Sequence, residues 1–286
     1  MDGIIIINKT KGYTSHDIVN KAKKIFNEKV GHTGTLDPNA TGVLPLLVGK
    51  GTGISKYLIN HDKTYEAILK LGEKKDTADS EGMTIQEEIV KPSMLESQKV
   101  EKVLSSFIGN QKQTPPMYSA IKINGKKLYE YARKGENIEI KPRSIEIYEM
   151  KLLNIDMQMQ TIEFRVKCSK GTYIRSLCED IARKIGTIGY MQELKRIQVG
   201  EFRIDDAISI QELENAPNKY EKFITIEKYF EGIKSIKLDD NKVRLFLNGV
   251  QLTCNLDDGL YKIYQKEKFI GIGTMKNKLL KRDIII

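Results

Sequence analysis

Gly31-His32-Thr33-Gly34-Thr35-Leu36-Asp37-Pro38-Asn39-Ala40-Thr41-Gly42-Val43-Leu44-Pro45 is the stretch around which the chain is organised. Its glycines, threonines, single histidine and single carboxylate are too irregular for a helix. Gly31, Gly34 and Gly42 permit backbone angles that other residues avoid, and Pro38 biases Asp37 away from the α region. These residues predict a tightly turned loop that holds Asp37 in one direction. Val43-Leu44-Pro45-Leu46-Leu47-Val48 then makes an apolar run of strand length. A carboxylate on a rigid loop beside a buried strand is a frequent place for chemistry. Asp-Pro is equally ordinary turn vocabulary, with the aspartate bonding its own backbone. The loop's residues by themselves leave both readings open.

The whole chain narrows the choice. At 286 residues it can hold one large domain, or a large and a small one. The net charge of +9 rests mostly on lysine and points to a polyanionic partner, nucleic acid ahead of a membrane surface. Cys168, Cys178 and Cys254 are odd in number and form no C-x-x-C pair, so they read as reduced, mostly buried residues. His16, His32 and His61 lack metal-ligand spacing, and no metal site is expected. With no bilayer-length apolar run and no signal-peptide pattern, the expectation is a soluble, cytoplasmic protein.

Gly3-Ile4-Ile5-Ile6-Ile7 fits a buried strand. Thr14 and Asp17 then resemble a capping box, followed by Ile18, Val19, Ala22, Ile25 and Phe26 at helical spacing. Gly49-Lys50-Gly51-Thr52-Gly53 matches neither a dinucleotide fingerprint nor a Walker A loop. It reads as a glycine-rich turn before a helix with Ile54, Tyr57 and Leu58. Alternation along 64–72 sets Tyr65, Ala67, Leu69 and Leu71 on one face of a strand. The stretch from Lys74 to Gly82 lacks periodicity and is expected to be loop. Ser93 with Glu96 predicts a capped helix whose stripe is Val100, Val103, Leu104 and Phe107, ended by Gly109.

Residues 111–143 differ from their surroundings. After the Pro115-Pro116 pair, Lys122, Lys126, Lys127, Arg133, Lys134, Lys141 and Arg143 outnumber the acids, with Tyr118, Tyr129 and Tyr131 interleaved. Bases for phosphates and aromatics for stacking suit RNA. The polar, Pro- and Lys-rich character predicts a segment that is mobile without RNA. Ile162, Phe164, Val166 and Cys168 alternate as a strand. Ile174, Leu177, Cys178, Ile181, Ala182 and Ile185 form a helical stripe stopped by Gly186. Arg175 falls in that helix's first turn, where the macrodipole disfavours a cation, so a compensating carboxylate or phosphate is expected, with an ordinary structural salt bridge or a solvated arginine as the plain reading. Asp37 is the candidate partner, and Arg175 would then lower its pKa. Leu194 to Phe202 is a further basic strand, and Ser209 with Glu212 caps a short helix. From Ile233 onward, short strands with Asn248-Gly249 and Asp258-Gly259 as turn signals predict a small β module.

These segments, in this order, resemble the bacterial tRNA pseudouridine-55 synthases, the TruB family. The match rests on 31–38 with Ala40-Thr41-Gly42, Lys63-Thr64-Tyr65, Gln113 to Ala120, Ser169-Lys170-Gly171-Thr172-Tyr173-Ile174-Arg175, and Leu194 to Phe202. The resemblance implies an α+β pseudouridine synthase fold: a central mixed, largely antiparallel sheet flanked by helices and loops, plus a small C-terminal β module similar to a PUA domain. The expected division is a catalytic domain over 1–232, with a thumb-like RNA-binding insertion at about 111–143, and the C-terminal module over 233–286. It also implies Asp37 as catalytic carboxylate, Tyr65 as active-site tyrosine, Arg175 as the arginine paired with Asp37, His32 as a wedge in the tRNA T loop, and Leu194 as lining of the uracil pocket. Lys9, Lys126, Lys127, Arg133, Arg143 and Arg196 are expected RNA contacts. The implied reaction is isomerisation of uridine 55 with no cofactor, on the T arm of tRNA, by a monomer without an obligate protein partner. A non-catalytic tRNA-binding or folding protein on the same scaffold is the alternative. The presence of Asp37, Tyr65 and Arg175 together speaks against it.

Overall fold

Nearly unbroken apolar runs require burial on both faces, and the first strands obtain it. In the computed structural model, which describes residues 2–136 and 138–286, β1 (Gly3–Lys9) is followed by α1 (Ser15–Phe26), β2 (Val30–His32) and β3 (Thr41–Val48). Asn137 of the basic insertion lies outside the described residues. β1 and β3 pair antiparallel along their length. Ile5, Ile7, Leu44, Leu46 and Val48 join the main core, while Ile4, Ile6, Val43 and Leu47 enter a second cluster on the opposite face. The Thr14–Asp17 capping box opens α1, and Ile18, Val19, Ala22 and Phe26 are buried.

A short 3-10 turn leads to α2 (Ser55–Leu58) and β4 (Lys63–Leu71), with β5 (Glu73–Lys75) and β6 (Thr84–Glu87) forming a side hairpin. α3 (Ser97–Ser105) starts later than expected. Ser93 lies in a separate 3-10 turn, and Glu96 is the N-cap without a side-chain bond. Leu95, 3% exposed, turns into the core between the two and interrupts a continuous helix. There follow β7 (Gly109–Gln113), the tiny hairpin β8 (Lys122–Ile123) and β9 (Lys126–Lys127), and α4 (Leu128–Ala132). Next come β10 (Arg143–Asp156), β11 (Thr161–Cys168), α5 (Ile174–Ile185), β12 (Gly189–Val199), β13 (Phe202–Arg203), α6 (Ile210–Asn215), β14 (Ile224–Thr225) and α7 (Ile226–Tyr229).

The main sheet runs β14-β1-β3-β12-β4-β11-β10-β7, with β2 on β3 and β13 on β12. Among its pairs β3–β12 is parallel and the others antiparallel, a mixed and largely antiparallel sheet. The parallel pairing sets Gly42 opposite Arg196. Gly42 has φ +101°, and a Cβ there would overlap the Arg196 carbonyl oxygen. Close approach and backbone angle together require glycine at this point.

Beyond residue 234 a separate curled sheet runs β15 (Ser235–Leu238), β17 (Gly259–Gln265), β18 (Lys268–Lys276), β19 (Leu279–Ile285) and β16 (Leu252–Thr253) in spatial order, with α8 (Asp240–Leu247) packed on it. The helix differs from the all-strand expectation. Asp239 caps it and Asn248 is its C-cap, so Asn248-Gly249 closes a helix instead of turning a hairpin. Ile272 and Ile284 point away from the module's own core, into the cluster with Ile4, Leu47, Ile54 and Leu58. Asp283 accepts hydrogen bonds from Lys56 Nζ and Tyr57 Oη, tying the module to the back of the main sheet. Among the described residues no helix is long and apolar enough to cross a membrane. Gly42→Ala is expected to destabilise the fold by roughly 2 kcal/mol or more, read as a lower denaturation midpoint in urea.

Candidate active site

The organising loop carries polar backbone into the protein and needs partners for it. Two buried cations supply many of them. Lys9, fully buried, donates from Nζ to the carbonyls of Thr10 (3.1 Å), Tyr13 (2.6 Å) and Pro38 (2.9 Å). From the other side Arg196, 1% exposed, donates to Val43 (2.8 Å), Gly34 (3.0 Å) and Thr35 (3.5 Å) carbonyls. Ser15 Oγ accepts from Leu36 N and donates to Leu36 O, and the Ala40 N–H closes a turn onto Asp37 O. Lys9 and Arg196 were expected to contact RNA. In the structure Lys9 bonds the Pro38 carbonyl of the loop and the Thr10 and Tyr13 carbonyls of the turn after β1, and Arg196 bonds carbonyls of the 31–45 stretch.

So held, Asp37 directs its carboxylate across the cleft and not onto its own backbone. Arg175 Nε lies 3.2 Å from Oδ2 and Nη2 3.4 Å from Oδ1. Arg175 sits at the start of α5 with its side chain 7% exposed. It also meets Asp79 (Nη1–Oδ2 3.4 Å) and donates to Tyr118 O (2.9 Å) and Thr77 O (3.3 Å). No local pattern singles out Asp79, which lies in the aperiodic loop after β5. There its Oδ1 accepts from Thr77 Oγ1 (2.6 Å) and Glu81 N (3.1 Å). No spacing in the sequence links it to Arg175. Gln113, which opens the Gln113–Ala120 motif, has a structural role that the motif does not reveal. It donates to Tyr173 O (3.0 Å) and accepts from Tyr173 N (2.8 Å), fixing the entry to α5.

A cavity of about 780 Å³ opens at this point, lined by Asp37, Tyr65, Arg175, Leu194, Met191 and Tyr118 among others. Tyr65 stands opposite Arg196 on neighbouring strands. Burial pushes its phenol above the ordinary range, against a downward pull from Arg196, so it is protonated at neutral pH. For Asp37, burial outweighs the expected downward pull of Arg175. Burial in the cleft walls raises its carboxyl above the usual 3.8; Arg175 opposes this, Asp79 reinforces it, and Lys9 opposes it more weakly. The guanidinium is one charge against a whole low-dielectric wall.

His32 lies outside that lining, at the loop's start, with Nδ1 accepting from Gly34 N (3.3 Å). Burial, with Arg196 nearby, holds its imidazole below the usual range. Arg143 begins β10 and lines the cavity. Lys126 and Lys127 form β9 and Arg133 is the C-cap of α4, and all three stand over aromatic faces. Lys126 covers Tyr131 at 5.8 Å, and Lys127 and Arg133 both cover Tyr129 at 5.3 Å. Tyr129 reaches the cavity. The insertion expected to be mobile thus carries a hairpin and a helical turn at the rim of the cleft.

The ammonium of Lys9 is lowered to about 8, chiefly by burial, with Asp37 pulling the other way and Arg196 adding to the fall. Between pH 8 and the unfolded value of 10.5 the unfolded chain binds more protons, so this group adds stability as pH rises. Relative to Lys9→Met, the wild type should gain stability across that window in urea titrations. The same variant strips Thr10 O and Tyr13 O of their Lys9 donor and leaves Pro38 O with Gly12 N alone, and it should slow turnover through a displaced Asp37 loop.

Residues 23–174 match the family model described as TruB family pseudouridylate synthase (N terminal domain), and residues 175–234 match that of the tRNA pseudouridylate synthase B C-terminal domain. A Clostridium kluyveri protein named tRNA pseudouridine synthase B is 43% identical over 97% of this chain and 96% of its own length. The protein of that name from Aquifex aeolicus is 39% identical over 98% of each chain. Among solved structures, a Cbf5-Nop10-Gar1 complex contains a chain that is 25% identical, with TM-score 0.67, covering 99% of this chain and 83% of that one. A chain in an H/ACA RNP bound to a substrate RNA containing 2'-deoxyuridine shares the fold, at TM-score 0.69 and 24% identity over 99% of this chain and 85% of that one. With matched models spanning most of the chain and relatives this similar over nearly full length, the chain belongs to the TruB family of tRNA pseudouridine synthases.

Proposed function

We propose that this chain isomerises uridine 55 in the T loop of tRNA to pseudouridine, with Asp37 as the catalytic carboxylate. The observation that carries the reading is the Asp37–Arg175 pair at the cavity between Tyr65 and Leu194. A cavity of about 780 Å³ admits one nucleoside. A loop base must leave its stack to enter it, at a cost of a few kcal/mol. His32, at the start of the loop, is the wedge that takes the base's place. Lys126, Lys127, Arg133 and Arg143 beside the cleft supply phosphate contacts that offset the cost. A catalytic domain ending near residue 232 is supported by β14 pairing on the main sheet and β15 pairing in a separate one. The module beyond it is a second RNA contact of PUA type. The enzyme acts as a cytoplasmic monomer, without cofactor or obligate protein partner.

In the reaction the N1–C1′ bond breaks, uracil leaves with the electron pair, and C5 then bonds to C1′. The C5 proton is lost, N1 gains one, and nothing is oxidised. Asp37 must be ionised, whether it attacks C1′ as in retaining glycosidases or removes the C2′ proton to give a glycal. Arg175 keeps it ionised and oriented. Tyr65 stacks on the base and helps remove the C5 proton. Tyr65→Phe should bind RNA normally and lose turnover.

The decisive assay is pseudouridine formation on an unmodified tRNA transcript, comparing wild type with Asp37→Asn. Modification at position 55 by wild type, abolished in the variant with unchanged binding, is the expected result. Tight binding by both without modification would show a tRNA-binding protein instead. Since the carboxylate reacts as an anion and its pKa is raised, single-turnover rates should fall on acidification at a pH above 3.8. Arg175→Met should move that acid limb further up.

A further inference from the structure

Two cations line the cleft without forming an ion pair to any carboxylate among the described residues. Lys63 is 8% exposed and Arg196 1%. Lys63 and Tyr65 are two apart on β4 and share a face, as do Leu194 and Arg196 on β12. All four line the cavity that holds Asp37. The cations meet behind Gly34, where a Cβ would stand 3.4 Å from Arg196 Nη1 and 4.0 Å from Lys63 Cε.

Their hydrogen bonding differs. Arg196 is occupied by the carbonyls of Gly34, Thr35 and Val43. Lys63 Nζ donates to His61 O at 2.6 Å, its one acceptor among the described residues. An ammonium has three donors, so two are left without a protein acceptor among the described residues, on a side chain that lines the cavity. A buried cation is costly unless paired, and two side by side are costlier. Burial first, and Arg196 second, lower the Lys63 pKa; Cys168 on β11 and the adjacent Asp62 raise it, and Lys170 lowers it again. Such a site is complete only when negative charge arrives. In the proposed isomerisation, negative charge appears on the uracil at the moment N1–C1′ breaks, spread from N1 onto the ring oxygens.

We propose that Lys63 is a further catalytic residue, whose ammonium, backed by the charge of Arg196, hydrogen-bonds an oxygen of the departing uracil. The electron pair of the N1–C1′ bond passes to the base, Lys63 stabilises it without transferring its proton, and the pair re-forms as the C5–C1′ bond. The anion is present after the first bond breaks and absent in the bound substrate, so Lys63 acts on the rate more than on affinity. An RNA phosphate would satisfy the same two cations. The position beside Tyr65 and Leu194, on the cavity floor, favours the base. The inference rests on the isomerase reading above.

The test compares wild type, Lys63→Met and Lys63→Arg on an unmodified tRNA transcript, measuring single-turnover rate, Kd, thermal midpoint and pH profile. Lys63→Met should lower the rate about 100-fold while Kd and midpoint stay close to wild type. Lys63→Arg should recover most of the rate and lose the alkaline limb that deprotonation of Lys63 imposes, since guanidinium keeps its proton. A wild-type rate in Lys63→Met overturns the proposal. So does a defect confined to Kd, which would mark a phosphate contact. Should Lys63→Met fail to fold, a folded Lys63→Arg with the wild-type alkaline limb would likewise overturn it. A wild type that makes no pseudouridine sinks the isomerase reading along with it, whereas an active wild type with an unimpaired Lys63→Met sinks only the role of Lys63.

Discussion

Arg175 occupies the end of a helix whose dipole repels it, in a position almost closed to water, and two carboxylates hold it there. Asp37 comes from the loop before β3 and Asp79 from the loop after β5, while Thr77 and Tyr118 add carbonyls. Four segments far apart in sequence therefore converge on one guanidinium. A buried ion pair repays its desolvation only with good geometry and satisfied donors. The planar fork of arginine meets that condition by facing several acceptors at once. Gln113, hooked to both backbone groups of Tyr173, fixes the helix end from which Arg175 projects.

The loop that carries Asp37 is held in the same manner from behind. Lys9 on β1 and Arg196 on β12 approach it from opposite sides, and each donates three hydrogen bonds to carbonyls. Irregular backbone inside a protein is affordable only when its polar groups are paired, and here charged side chains do the pairing. Burial of these cations has an electrostatic consequence. The cleft has fixed positive charge along its floor and a carboxylate whose pKa is raised, an environment that favours negative charge developing between them. Behind the sheet, Ile272, Ile284 and Asp283 of the C-terminal module seat on the face that the cleft does not use. That leaves the opposite face free for the site.

Much of this was legible from local pattern. The Thr14–Asp17 and Ser209–Glu212 boxes, the α5 stripe and the alternation of β4 depend on residues within a few positions of one another, and all are present. The reading strayed where a neighbour distant in sequence intervened. Leu95 is drawn into the core and splits the helix expected from Ser93. Asn248-Gly249, a hairpin signal by composition, closes α8 because Asp239 had already capped a helix there. Asp79 was invisible, since a carboxylate in an aperiodic loop acquires meaning only from the arginine it meets.

The amino-acid sequence by itself determined the strands and helices of the body, the rigidity of the Asp37 loop, the expectation of an anion beside Arg175 and the family to which the motifs belong. These follow from periodicity, turn chemistry and residue order, which act over short distances along the chain. The tertiary structure alone decided that Lys9 and Arg196 bond backbone carbonyls, that Asp79 completes the arginine's shell, and that burial outweighs Arg175 in setting the pKa of Asp37. Each of those depends on how much water the assembled sheet and loops exclude, and on which charges the β3–β12 pairing brings side by side.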